Sequence, residues 1–144
     1  MKTKINFKSV VLMLLAVMML MSMLSCGETV DKEGLWENAT YRKDMEFGTG
    51  AKTLTVEVKV GESAVTFTIH TDKSTVGEAL FEHELIAGDQ GQYGLYIKTV
   101  NGILADYDVD QSYWGFYVNG EYALSGVDTT EIDETAKYQL VYTK

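Results

Sequence analysis

The chain has 144 residues, with 12 Lys and Arg against 21 Asp and Glu, and its formal net charge is −9. Three of the basic residues and none of the acidic ones lie within residues 1–25, so the remaining 119 residues carry a formal charge of −12. An acidic surface repels phosphate groups, which excludes nucleic acid as an expected partner. The single cysteine excludes an internal disulfide, and the remaining length supports one domain with its own core.

Residues 1–25 have the composition of an export signal. Three lysines precede an apolar run over residues 10–24, interrupted only by Ser22, and a small residue stands directly before Cys26. This junction resembles the lipobox of bacterial lipoproteins, in which the leader is cleaved before the cysteine and the thiol is lipidated. Two or more acyl chains anchor a protein stably to a membrane. The resemblance therefore implies that Cys26 is a lipidation site.

The leader also predicts the organisation of the chain. An uncleaved anchor is the alternative to cleavage, although residues 10–24 are fewer than the roughly 20 apolar residues of a spanning helix. In either case we expect the rest of the chain on the extracytoplasmic face of a bacterial cell membrane. We expect a signal peptide over residues 1–25, a polar tether over 26–34 and one domain over 35–144.

The residues that follow predict a β-hairpin. Apolar and polar side chains alternate over residues 52–60 and again over residues 65–70. Residues 61–63 between them contain a glycine and predict the turn.

The pattern then changes to that of a helix. Thr75 and Glu78 have the spacing of a capping box, and apolar residues recur at helical spacing from Val76 to Leu85. Gly88 predicts the end of this helix.

The second half of the chain returns to strand patterns. The dipeptides at 101–102 and 119–120 are both Asn-Gly, which favours two-residue hairpin turns. Strands are predicted over residues 94–100, 113–118, 121–124 and 137–142. Two strands, one helix and four further strands indicate an α+β domain. The segment from the second strand through the helix to Gly94 is long enough for a crossover, so one parallel pair is allowed there.

This order of elements resembles the β-grasp fold. Within its soluble-ligand-binding superfamily, the chain is similar to the transcobalamin-like C-terminal domain (DUF4430-like) of bacterial surface lipoproteins. The resemblance rests on residues 74–80, 93–97, 100–103, 113–120, 125–127 and 138–142. It implies a mostly antiparallel sheet packed on one helix.

The resemblance also implies a ligand class. In animal cobalamin carriers, a domain of this type closes over a corrinoid from one side, and a helical barrel holds the other side. A small soluble ligand of corrinoid or cobalamin type is therefore implied here. Two departures stand against a direct transfer: no barrel accompanies this domain, and residues 133–136 replace the Gly-Asp pair that usually precedes the last strand.

Aromatic residues supply the candidate site. Alternation along residues 113–118 places Trp114 and Phe116 on one face and Tyr113 and Tyr117 on the other. We expect Trp114 in the core, and the tyrosine face suits a flat apolar ligand or a partner protein. Ordinary sheet packing of both rows is the alternative. The candidate ligand-binding residues are Tyr93, Tyr113, Tyr117 and Tyr122.

Other chemistries find little support in the sequence. Asp106, Asp108 and Asp110 alternate as in a calcium loop, but Gln111 and Tyr117 occupy the places where an EF-hand needs Gly and Glu. The two histidines lack metal-ligand spacing, and no nucleophile motif occurs. We assign no metal, cofactor or catalytic residue and expect a binding protein. The alternative is a cell-surface module that binds a protein or a glycan without a small-molecule pocket.

Overall fold

The structure, a computed structural model, describes residues 34–144. The predicted signal peptide, Cys26 and nearly all of the predicted tether lie outside the described residues. The described part begins with a single 3₁₀ turn at Leu35–Asn38. Within it, no helix is long and apolar enough to cross a lipid bilayer.

The described residues form nine strands, which are arranged as two sheets, and two short α-helices. In chain order the elements are β1 (Met45–Gly48), β2 (Lys52–Val60), β3 (Ser63–Thr71), α1 (Val76–Glu82), β4 (Ile86–Gly91), β5 (Gly94–Val100), β6 (Ile103–Leu104), α2 (Tyr107–Asp110), β7 (Tyr113–Val118), β8 (Glu121–Tyr122) and β9 (Lys137–Thr143). The main sheet has the order β1-β3-β2-β9-β7-β8, and the small sheet has the order β4-β5-β6. The predicted α+β class, dominated by strands, is confirmed.

The predicted hairpin forms between β2 and β3. Val56 lies opposite Phe67 and Val58 opposite Val65, and all four side chains are buried. Threonine and charged residues of the same strands point to the other side of the sheet, as the alternation predicts. The turn at Gly61 has a φ of +57° and is short, so β3 begins earlier than the sequence predicts.

The parallel strand pairs lie elsewhere than the sequence suggested. β1 runs parallel to β3, and β9 runs parallel to β2. The parallel pair that the sequence allowed after the crossover to Gly94 does not form, because β5 pairs antiparallel with β4 in the small sheet. A strand whose hairpin partner directly precedes it in the chain needs no crossover connection.

The start of α1 matches its prediction. The Thr75 hydroxyl accepts a hydrogen bond from the Glu78 N–H (3.2 Å), and the Glu78 carboxylate accepts one from the Thr75 N–H (3.1 Å). This reciprocal capping box satisfies backbone donors that the first turn of a helix leaves free. The hydrogen bonds from the Thr75 and Ser74 N–H groups hold the pKa of the Glu78 carboxyl below its usual value.

The helix ends earlier than predicted, at Glu82. Glu84 adopts a left-handed backbone with a φ of +55°, and the Leu85 N–H donates to the Leu80 carbonyl (3.0 Å). This arrangement closes the helix as a Schellman motif does. The predicted stop at Gly88 was wrong, because that residue lies inside β4.

The core joins the main sheet, the small sheet and α1. Trp114 and Phe116 are both buried on the inner face of β7, as predicted for Trp114. The Phe116 ring stacks on Tyr138 with a centroid distance of 6.1 Å. The Tyr138 hydroxyl accepts a hydrogen bond from the Asp133 N–H (2.8 Å), which fixes the turn before β9.

Asn101 attaches the segment before β1 to the small sheet. It occupies the predicted turn with a φ of +51° and its side chain is buried. Its Oδ1 accepts from the Tyr41 N–H and its Nδ2 donates to the Tyr41 carbonyl, both at 2.8 Å. One buried amide thus satisfies both backbone polar groups of Tyr41.

Replacing Thr75 with alanine should lower the free energy of unfolding by about 1 kcal/mol, because the capping oxygen is lost. The midpoint of urea denaturation measures this change. Thr49→Ala in an exposed loop is the control and should change stability by less than about 0.5 kcal/mol. An unchanged midpoint for Thr75→Ala would contradict a role for the capping box in stability.

Candidate ligand-binding site

A pocket lies at the edge of β7, between the main sheet and the small sheet. Its volume of about 570 Å³ is within the range of small-molecule sites. β5 forms one wall, the segment after β8 forms another, and α2 contributes a third side. The lining residues are Leu95, Tyr96, Ile97, Tyr107, Asp108, Tyr113, Trp114, Phe116, Tyr122, Ala123, Leu124, Ser125, Gly126 and Val127.

Two buried aromatic residues of β7 form the inner part of the pocket. The Trp114 indole N–H donates to the Ile103 carbonyl (3.2 Å), and its ring meets Tyr142 edge-on with a centroid distance of 5.6 Å. Phe116 is held by its stacking on Tyr138. Both rings therefore serve the core and the pocket at once, and the surrounding packing fixes their positions.

The pocket exists because β8 is short. β7 pairs with β9 along its whole length but with β8 over only two residue pairs. The last backbone hydrogen bond on this side runs from the Ala123 N–H to the Phe116 carbonyl (2.9 Å). Beyond it the chain leaves the sheet, so Tyr113 and Trp114 border a cavity on the side where a longer strand would lie.

The rim of the pocket carries exposed apolar side chains. Tyr96, Tyr107 and Tyr122 are 41%, 56% and 59% exposed, and Leu124 is fully exposed. Large apolar side chains that are exposed together are typical of interaction surfaces. A ligand in the pocket would shield them from water.

Asp128 connects the two walls. Its Oδ2 accepts a hydrogen bond from the Leu95 N–H on β5 (3.1 Å). A Cβ at Gly94 would lie 3.0 Å from this carboxylate, and one at Gly126 would lie 2.6 Å from it. Gly94 has a φ of +110°, a backbone conformation that favours glycine, whereas at Gly126 the close atom is the end of the Asp128 side chain, which can shift.

The structure brings together two of the four predicted ligand-binding residues. Tyr113 and Tyr122 line the pocket. Tyr117 contacts the ring of Tyr122 edge-on (5.4 Å) but is not part of the lining. Tyr93 lies apart, 93% exposed in the turn between β4 and β5.

Other lining residues were not among the predicted ones. Tyr96 and Tyr107 come from the small sheet and from α2, and Leu124 comes from the segment after β8. Both tyrosines belong to the aromatic concentration that the sequence shows, but the pattern gives no sign that a second sheet faces β7. Leu124 stands directly before Ser125 and Gly126, which favour a turn. A large apolar residue beside such a turn could have indicated an exposed position at the pocket.

Ser112 holds the α2 side of the pocket. It is buried, and its hydroxyl accepts from the Asp106 N–H (3.0 Å) and donates to Asp110 Oδ1. The hydrogen bonds from Ser112, with Lys144 Nζ at 3.2 Å, hold the pKa of the Asp110 carboxyl below its usual value.

The three alternating aspartates have separate roles. Asp106 caps α2 by accepting from the Asp108 N–H (3.1 Å), Asp110 bonds to Ser112, and Asp108 lines the pocket. Among residues 34–144, no three His, Cys, Asp or Glu side chains stand close enough together to hold a metal ion.

Comparison with known proteins identifies the family. The family model described as "Domain of unknown function (DUF4430)" matches residues 73–144, which is half of the chain. The chain belongs to the DUF4430 family. None of the curated proteins matches this DUF4430 chain.

Two solved structures share the fold of this DUF4430 chain. A protein of Ruminococcus gnavus ATCC 29149, described as a candidate metal-binding protein, is 32% identical with a TM-score of 0.60, and the match covers 65% of this chain and 97% of that one. Haptocorrin in complex with Cbi is 17% identical with a TM-score of 0.50, and the match covers 65% of this chain and 25% of haptocorrin. The predicted transcobalamin-like resemblance is thereby confirmed for the fold.

Replacing Ser112 with alanine should raise the pKa of Asp110 toward its usual value of 3.8, because the hydroxyl donor is lost. A lowered pKa stabilises the folded state above the unfolded pKa, and this contribution disappears as the pH falls through the folded pKa. The loss of stability should therefore be larger at pH 7 than below pH 3.8. NMR titration of the Asp110 carboxyl carbon and urea denaturation at both pH values measure these effects.

Ser125→Ala is the matched control for this prediction. Its hydroxyl is exposed and pairs with Thr130 Oγ1 (3.1 Å), away from Asp110. It should leave the Asp110 pKa unchanged. An Asp110 pKa that is the same in the Ser112→Ala protein and the unaltered protein would contradict the assigned contact.

Proposed function

We propose that this DUF4430 chain binds a small, flat and largely apolar ligand in the pocket beside β7. The observation that carries the proposal is the lining of the pocket, in which six of the 14 residues are aromatic. Ligand sites are concave and mostly apolar, with a few polar groups that orient the ligand. Asp108 and Ser125 supply polar groups of this kind.

A corrinoid is the ligand class that we infer. Haptocorrin, a solved structure that shares the fold, is described in complex with Cbi. This chain spans only a quarter of the length of haptocorrin. We therefore infer that its pocket contacts one side of the ligand, and the exposed side chains of Tyr122 and Leu124 are consistent with a ligand that extends beyond the pocket.

A metal ion is not the ligand that we favour. The relative from Ruminococcus gnavus is described as a candidate metal-binding protein. Within residues 34–144 of this chain, however, no group of three potential ligand side chains is close enough to hold an ion. The pocket lining instead favours an organic ligand.

We also infer that the chain binds its ligand without transforming it. Asp108 is the one carboxylate in the pocket lining, and no lining residue is His, Lys or Cys. The Ser125 hydroxyl pairs with Thr130 rather than with a base. Nucleophilic catalysis needs a nucleophile and a base within hydrogen-bond distance of each other, and this lining offers no such pair.

We further propose that the chain is an exported lipoprotein. The support is the leader with its lysines and apolar run directly before Cys26. A lipid on Cys26 would hold the pocket outside the cytoplasm on a bacterial membrane. A ligand-binding domain in that location can collect a small compound, or pass it to a partner protein, at the cell surface.

The full chain in detergent should show saturable binding when cobinamide or cyanocobalamin is titrated into it and visible absorbance is followed. Tyr122→Ala should raise the dissociation constant at least about tenfold, since it removes an aromatic side chain from the pocket. The absence of a saturable change with either compound would exclude the corrinoid.

Tyr93→Ala is the matched control for this titration. It removes the same side chain from a position that is 93% exposed and outside the pocket lining. Its dissociation constant should equal that of the unaltered protein. Equal weakening by both substitutions would place the binding site elsewhere.

Cys26→Ser should move the chain from the membrane fraction to the soluble fraction of the cells that express it, because the thiol that carries the lipid is lost. Metabolic labelling with a radioactive fatty acid should mark the unaltered protein and not the variant. Ser22→Ala in the leader is the control and should keep the label. Equal membrane association of the Cys26→Ser protein without label would contradict anchoring through this residue.

A further inference from the structure

A second cavity lies on the outer face of the main sheet, away from the core. Its volume is about 590 Å³, which is again the size of a small-ligand site. Its floor consists of residues from β2, β3 and β9, and its walls are residues 134–136 and Gly120 in the β7–β8 hairpin. We call this cavity the outer groove.

Hydrogen bonds hold both walls of the outer groove in place. Glu134 Oε1 accepts from the Thr53 N–H on β2 (2.7 Å). Asn119 Oδ1 accepts from the Lys137 N–H on β9 (2.9 Å), which attaches the β7–β8 hairpin to the neighbouring strand. The groove is therefore formed before any ligand binds, which lowers the entropic cost of binding.

The lining of the outer groove is polar and carries both signs of charge. Gln139 Nε2 donates to Glu57 Oε1 (2.9 Å), which leaves the second carboxylate oxygen and the Gln139 carbonyl as acceptors. Thr55 and Thr66 add hydroxyls, and Lys137 adds an ammonium group. An apolar ligand would leave these groups unpaired, and the formal net charge of −9 disfavours an anion. A neutral ligand with many hydroxyls both donates to the acceptors and accepts from the donors.

An aromatic ring extends the same row of residues. Tyr117 lies opposite Gln139 in the sheet, and Gln139 lies opposite Glu57. Tyr117 and Glu57 are therefore two strand spacings apart, about 10 Å. A Cβ at Gly115 would lie 3.0 Å from the Tyr117 ring, so the ring rests over this glycine on the outer face. An aromatic surface beside hydrogen-bonding groups matches a sugar, which has apolar C–H faces and hydroxyl edges.

We propose that the outer groove binds a neutral carbohydrate. Glu57, Lys137 and Gln139 form hydrogen bonds with its hydroxyls. Tyr117 lies outside the groove lining on the same face of the sheet, and it packs against a sugar unit that extends beyond the groove. This site is separate from the pocket beside β7, and the proposal does not depend on corrinoid binding.

Affinity electrophoresis of the full chain in detergent tests this proposal. Native gels each contain one neutral polysaccharide (a glucan, a mannan, a xylan or a galactan), and a further gel contains polygalacturonate as an anionic polymer. We expect retardation by at least one neutral polysaccharide. Lys137→Ala and Glu57→Gln should each raise the dissociation constant about tenfold, because each removes a charged hydrogen-bonding partner.

Lys59→Ala is the matched control. Lys59 is exposed on the same outward face of β2 and is not part of the groove lining, so the substitution changes the charge of the chain as Lys137→Ala does. It should leave retardation unchanged. Retardation by no neutral polysaccharide, retardation by polygalacturonate alone, or equal retardation of all variants would overturn the proposal. No corrinoid is present in the gels, so this result and the corrinoid titration fail or succeed separately.

Discussion

The candidate site depends on the unequal pairing of β7. One edge of this strand is bonded to β9 along its whole length, while the other edge is covered by β8 over only two residue pairs. A full-length neighbour would have closed the sheet and filled the space against β5. Because β8 stops at Tyr122, rings that belong to the core also line a cavity. The pocket thus exists because β8 is too short to cover the whole edge of β7, and no inserted loop is needed to form it.

β7 presents different side chains on its two faces. Trp114 and Phe116 point inward, where the pocket is aromatic and leads into the core. Tyr117 points outward, in register with the amide of Gln139 and the carboxylate of Glu57. The two-residue period of a strand places an apolar surface and a polar one on opposite sides of a single sheet layer. β7 therefore contributes Trp114 and Phe116 to the pocket and Tyr117 to the outer face of the sheet. The Tyr117 ring contacts the pocket residue Tyr122 edge-on, with a centroid distance of 5.4 Å.

Local signals in the sequence were sufficient for much of the fold. Alternation gave the β2–β3 hairpin, Thr75 and Glu78 gave the start of α1, and the Asn-Gly pairs gave two turns. The helix end was missed because it depends on the left-handed backbone of Glu84, a residue type that seldom signals this conformation. Tyr96 and Tyr107 could not be assigned to the site, because only the packing of the small sheet against β7 brings them there. The sequence also could not reveal which of Tyr113 and Tyr117 would face the cavity, since β8 ends two residues earlier than its pattern suggests.

Asn101 gives the fold a mechanical property. The buried side-chain amide of Asn101 forms hydrogen bonds with both backbone polar groups of Tyr41. The backbone carbonyl of Asn101 accepts a further hydrogen bond from the Thr40 N–H (2.8 Å). These hydrogen bonds join Thr40 and Tyr41 to the turn between β5 and β6. A pulling force applied at residue 34 therefore acts on them before it acts on β1. Such tension is therefore carried first by the small sheet, whose strand β5 also forms one wall of the pocket beside β7.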